Sequence, residues 1–237
     1  MKDVQVILDR LGAIEPLQQQ DVGEFSHIKG KMMSITLRSF TAGNWGTVAA
    51  MESRGMLGLL QRNMLVINSR TKDIPVLVIQ YLSLFGKRLL QVDVLDAMKD
   101  KTGGARFTSL GSLVQQAGLA DQPMPEEWYT PLQLGGSCSK KGKAEALSAL
   151  AGDVAAAYLE AARNTRDTNA VEGCVLRLRS LLDKLFDHGG FAYDALRVCL
   201  KQEKAEEMYT RWIFGAAPLG SGEIPAPAET EEASAAE

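Results

Sequence analysis

The chain has 237 residues, 46% of them hydrophobic and 23% charged, with a formal net charge of −3; that fits a soluble globular protein with a proper core. Its three cysteines (Cys138, Cys174, Cys199) are odd in number and far apart, and its two histidines (His27, His188) belong to no CxxC or HxxxH pattern, which argues against a disulfide framework and against a zinc site. The longest apolar stretch, residues 74–85, is broken by Pro75, Gln80 and Ser83 and falls short of the ~20 residues of a membrane span.

Residues 3–12 space Val4, Ile7, Leu8 and Leu11 by three and four, which predicts a helix ended by Gly12 and Pro16. The start, MKDVQVILDRLGAIEP, lacks the basic opening and cleavage site of a secretory signal, so the expected setting is cytoplasmic (intracellular and soluble). Residues 31–40 partly alternate, with Met33, Ile35 and Leu37 opposite Ser34, Thr36 and Arg38, and read as a strand. After the AGNWG turn at 42–46, residues 47–67 read as a helix with Val48, Met51, Met56, Leu59, Leu60 and Met64 on its apolar face. Gly55 and Gly58 weaken it by about 1 kcal/mol each.

Residues 74–98 carry two signals. PVLVIQYL suits a buried strand, but Val78, Leu82, Phe85, Leu89, Val92 and Leu95 keep a 3.6-residue period, and the length favours a helix. Residues 103–142 are turn-rich, with one short helix at 108–117. Residues 143–163 form a helix with Leu147, Leu150, Val154 and Tyr158 in a stripe. Asn169 and Glu172 suit a capping box for the next helix, which ends at Gly189-Gly190, and a third helix spans 191–213. Cys174 and Cys199 fall on or beside apolar faces and read as core, while His188 reads as an ordinary C-terminal cap.

The expected fold is therefore mainly α: a helical bundle-like domain with at most a small β-hairpin near the N-terminus. Its parts are an α-rich basic region (1–106), a turn-rich connector (107–142), a three-helix subdomain (143–215) and a tail (216–237). The tail holds five of the 29 acids and none of the 26 bases, so residues 1–215 carry a net +2. Poor in large apolar side chains, it is expected to be disordered.

No acid–base pair or nucleophile with its base stands out, so no enzyme activity, cofactor or metal is expected. The segment GGSCSKKGK at 135–143 departs from a phosphate-binding loop: Ser137 stands where a glycine is needed, and Ala144 follows the lysine where Ser or Thr is needed. Cys138, in the same segment, has no histidine placed to activate it.

Between Lys29 and Arg106 there are twelve bases against five acids. That excess suits a phosphate backbone. The candidate nucleic-acid-binding residues are Lys29, Lys31, Arg38, Arg54, Arg62, Arg70, Lys72, Lys87, Arg88 and Arg106, joined by Lys140, Lys141 and Lys143. The function expected is a non-catalytic, self-associating packaging protein that binds nucleic acid, RNA ahead of DNA, as a viral nucleoprotein or helical coat protein does. The alternative is a helical adaptor that binds another protein through its Met- and Leu-rich segment 47–98.

Overall fold

A computed structural model of the chain describes residues 2–31, 33–55, 58–84, 87–95, 107, 109–116, 131–138, 144–167, 171–190 and 192–216. The chain opens with helix α1 (Lys2–Ile14) and then enters a run of strands: β1 (Leu17–Gln20), β2 (His27–Lys29), β3 (Met33–Ala42), β4 (Gly46–Gly55), β5 (Leu60–Ser69), β6 (Val76–Leu84) and β7 (Lys87–Leu95). Helix α2 (Ser109–Gln116) and strand β8 (Pro131–Cys138) follow. Helices α3 (Ala144–Arg163), α4 (Val171–His188), α5 (Tyr193–Leu200) and α6 (Gln202–Glu207) close the described chain, with a π-helical turn at Met208–Ile213.

All the described strands join one sheet, in the order β1-β3-β4-β5-β6-β7-β8. Every pairing is antiparallel. Strands β1 and β2 share the outer edge of β3, one beside each end: Leu17 is opposite Ala42, and His27 is opposite Thr36. Strands β3 to β7 follow each other in sequence, so short connections suffice there, whereas α2 lies between β7 and β8. At the β3–β4 turn Gly43 has φ 52°, a left-handed conformation that costs glycine little.

Helices cover both faces of the sheet. On one side, Val4, Ile7 and Leu11 of α1, Leu110 of α2, and Leu147, Val154 and Tyr158 of α3 pack on Val48, Leu65, Ile67, Ile79 and Val92. On the other, Leu178, Leu182 and Leu185 of α4, Tyr193 and Leu196 of α5, and Met208 to Phe214 pack on Leu37, Met51, Met64, Val66 and Val78. The result is a three-layer α/β/α sandwich with two apolar cores.

This architecture overturns the expected helical bundle. The segment 47–67 is not a helix but most of the β4–β5 hairpin, and 74–98 is largely the β6–β7 hairpin. The cause is double-sided burial. In β4, Val48 and Ala50 face one core while Ala49 and Met51 face the other. A strand apolar on both faces shows no period-2 alternation, so its Met, Leu and Ala content mimics a helix. The apparent 3.6-residue stripe is coincidental: Val78 belongs to one core and Val92 to the opposite one.

The strand expected at 31–40 is present as β3, and the helices expected at 3–12, 108–117 and 143–163 as α1, α2 and α3. Helix α4 ends at His188 ahead of Gly189, as expected. The single helix expected over 191–213 is instead divided into α5, α6 and the π-helical turn. Helices α3 and α4 do not pack as one bundle; they lie in opposite layers. The proposed Asn169 cap and residues 217–237 of the acidic tail lie outside the described residues.

Candidate functional site

A cleft of about 220 Å³ opens between the sheet and the C-terminal helical layer, at the end where β3 begins and β4 finishes. Its floor is Ile35 of β3, Met51 and Ser53 of β4, Arg62 of β5 and Leu82 of β6. Met33 and Leu60 form its rim, and Ala192, Ala195 and Leu196 its helical wall. Strand register explains the floor: Ile35 is opposite Ser53, Ser53 opposite Arg62, and Arg62 opposite Leu82, one cross-strand row on one face. The next row inward is Leu37, Met51, Met64, Gln80 and Gln91.

The cleft is largely apolar and carries one cation. Arg62 is half-buried, and among the described residues no carboxylate pairs with it. Its backbone carbonyl accepts a hydrogen bond from the Ser53 hydroxyl at 3.3 Å. A guanidinium on an apolar wall suits a flat, apolar ligand with an acidic substituent.

Deeper on the same face lies Asp93 of β7, fully buried at 0% exposure. Gln91 donates from Nε2 to its Oδ2 at 3.0 Å. Strand spacing and rise put the Arg62 and Asp93 backbones about 17 Å apart. Tyr209 closes the layer above. Burial holds its phenol well above the usual range, an effect that the Arg62 charge partly offsets. The other buried carboxylate among the described residues, Glu52, lies on the opposite face, where Arg38 Nη2 approaches it at 3.5 Å.

The structure distributes the basic residues singled out from the sequence. Lys29 and Lys31 are exposed at and just beyond the end of β2. Arg38, Arg54 and Arg88 belong to the sheet face that carries α1, α2 and α3, and Arg38 is tied to Gln5 of α1 at 2.8 Å. Arg62 faces the other way, into the cleft. Arg70 follows β5, and burial lowers its pKa. Lys72 is buried; its Nζ donates to the Thr165 carbonyl and lies 3.4 Å from Asp167. The Lys87 side chain, and Arg106, Lys140, Lys141 and Lys143 entirely, lie outside the described residues, and Cys138 ends β8 rather than lying in a loop.

Cys174 is in the α4 layer, where burial pushes its thiol up and Arg177 opposes the shift. Among the described residues no group of histidine, cysteine and carboxylate side chains is arranged to hold a metal ion, and no helix is long and apolar enough to cross a membrane.

No known protein-family model matches the sequence, and no curated protein matches it either. The fold does have counterparts among solved structures. One is phytochromobilin synthase from tomato, solved in complex with biliverdin: TM-score 0.71 at 10% identity, covering 91% of this chain and 82% of that one.

At that identity the likeness establishes the fold alone. It nevertheless overturns the expectation of an all-helical nucleocapsid- or coat-like packaging protein, and of a helical adaptor. The expectations of RNA and self-association as partners, and of a non-catalytic chain, fall with it. The fold is one used by an enzyme that holds a tetrapyrrole.

Sequence reasoning named Arg62 and put Met51 on the apolar face of an expected helix, but it missed Ser53 and Asp93 as site residues. Counting by twos along a strand pairs Met51 with Ser53, but only the register of β4 to β7 puts Arg62 and Asp93 on the same face.

Proposed function

We propose that this chain is an enzyme of the bilin-reductase type, which binds a linear tetrapyrrole between its sheet and its C-terminal helical layer. The observation that carries the reading is the apolar cleft with Arg62 on its floor, in a fold shared with a structure that holds biliverdin. Arg62 would pair with an acidic side chain of the tetrapyrrole. Met51 and Leu82 would pack against its ring faces, a contact that thioether sulfur favours.

The reaction proposed adds two electrons and two protons across a conjugated double bond of the ligand. The electrons come singly from an external electron-carrier protein. Asp93 supplies one proton, with Gln91 orienting its carboxyl group, and water entering with the ligand supplies the other and restores the Asp93 proton. Asp93 does not line the cleft in this structure, so a ligand anchored on Arg62 reaches it only when the layer over Met51 and Met64 opens.

The test is a titration of the full chain with biliverdin, followed by absorbance. A saturable spectral change, lost in Met51→Trp where the indole fills the cleft, is expected. A spectrum that stays that of free biliverdin at every protein concentration would sink the reading. Addition of an electron-carrier protein and its reductant without oxygen should then bleach the long-wavelength band as conjugation shortens.

A further inference from the structure

We propose that α5 is a hinged wall of the cleft, shut in this structure against the β2–β3 turn, and that it swings outward to admit ligand. The inference rests on the reading of the cleft as a ligand site. It begins from strain. Among the described residues two non-glycine side chains have positive φ, Ala192 and Lys201, and they bound α5 at its two ends.

Ala192 adopts φ 67°, ψ 5° and Lys201 φ 68°, ψ 160°. The second lies in a region that is essentially reserved for glycine, and such outliers persist only where surrounding contacts impose them. Gly189 at φ 79° and Gly190 at φ 109° precede the helix in conformations open to glycine, and Gly190 is tied to its first turn by Asp194 Oδ2 at 3.3 Å and by the Tyr193 N–H at 2.7 Å.

The position of α5 gives that strain a use. Ala192, Ala195 and Leu196 form the helical wall of the cleft. At the far end of the helix Cys199 rests on the turn between β2 and β3: a Cβ built on Gly30 would lie 3.0 Å from its Sγ. Gly30 in turn donates its N–H to the Met33 carbonyl at 2.7 Å, and Met33 is on the cleft rim. The Cys199–Gly30 contact is thus a latch across the mouth.

Tyr193, at 0% exposure beside the glycine pair, is the pivot; Val198 faces solvent, and Leu196, with Cys199 and Leu200 beside it, is the contact with the core that the swing must loosen. Shut, the cleft of about 220 Å³ is smaller than the ~300–1,000 Å³ of pockets for drug-sized ligands. A linear tetrapyrrole therefore needs α5 to move, and movement lets Ala192 and Lys201 relax.

The structure supplies its own lock. The Cβ built on Gly30 lies 3.6 Å from the Cys199 Cβ, within the ~3.5–4.5 Å of a disulfide. Gly30→Cys in the full chain, oxidised, should staple α5 shut, with Gly30→Cys/Cys199→Ser as the unstapled control. Amide hydrogen exchange in α5 should be faster than in α4 in the parent protein, and the staple should slow it to the α4 rate until a thiol reductant is added. Lys201→Gly, which removes strain from the shut position, should slow α5 exchange by on the order of tenfold; it also carries the test should the cysteine variant fail to fold. With biliverdin as probe, the association rate should fall about tenfold or more in the stapled form and recover on reduction.

Exchange in α5 that responds to neither the staple nor Lys201→Gly overturns the hinge. So does biliverdin that associates equally fast with stapled and reduced protein. If biliverdin binds neither form, the tetrapyrrole reading fails, and the exchange rates still decide the hinge.

Discussion

Asn68 of β5 donates a hydrogen bond from Nδ2 to the backbone carbonyl of Phe214, at 2.7 Å and out of contact with solvent. This bond fastens the last described turn of the chain to the middle of the sheet, 146 residues away in sequence. Phe214 stacks on Tyr209, with ring centroids 6.1 Å apart, so the bond also sets the aromatic group that closes the C-terminal layer.

Replacing Asn68 by alanine leaves the Phe214 carbonyl buried without this donor. A loss of about 1–3 kcal/mol is expected, read as a lower denaturant midpoint with an unchanged slope. Asn68→Asp should be worse, since a carboxylate would then face a carbonyl with no proton between them.

Arg62→Ala should separate binding from folding. The side chain is half-buried with no ion pair among the described residues, so stability should change by no more than ~0.5 kcal/mol. Biliverdin affinity should fall about tenfold to a hundredfold, the worth of a charge-assisted hydrogen bond. Arg54→Ala, on the opposite face of the sheet, is the control. Equal loss in both would mean the cleft is not the binding site.

Asp93→Asn keeps the shape of the side chain and removes the transferable proton. Turnover of biliverdin should drop by about 10²–10⁴ while its binding is retained, so that the loss appears in kcat rather than KM. Gln91→Leu should leave the acid present but poorly oriented, giving an intermediate rate and a shifted pH profile. A D93N enzyme with full turnover would remove Asp93 from the mechanism.

Stability should fail on the alkaline side. Burial, with Glu206 adding to it, pushes the Tyr193 phenol up to about 12, and burial pushes Tyr158 and Tyr209 higher still. The unfolded-state value is about 10. A phenol whose folded pKa is raised contributes stability that is complete below the unfolded value and is lost as pH climbs towards the folded one. Denaturant midpoints should therefore hold up to about pH 10 and fall beyond it, with the tyrosinate absorbance of these three of the five tyrosines appearing together with unfolding. Absorbance of more than two of the five tyrosines as tyrosinate near pH 10 in a still-folded protein would contradict this burial.

The helices were largely legible in the sequence because they are amphipathic. In α3, Leu147, Leu150, Val154 and Tyr158 turn to a core on one side only, and a one-sided element prints its period on the chain. β3 was legible for a related reason: Arg38 and Thr36 interrupt Ile35 and Leu37. The cleft was legible only through one of its residues, since nothing in the chain order distinguishes Arg62 from the other bases of that region.

The sequence by itself determined a globular chain with strongly patterned helices at 3–12 and 143–163. Only the tertiary structure decided the rest. Strands β4 to β7 are buried on both faces, so their hydrophobicity reports burial and not direction. Which side each residue serves is settled by antiparallel register, a property of neighbouring strands rather than of any one segment. That register brings Ser53, Arg62 and Leu82 into one row and puts Asp93 on the same face, and this is why the site emerges from the fold and not from a motif.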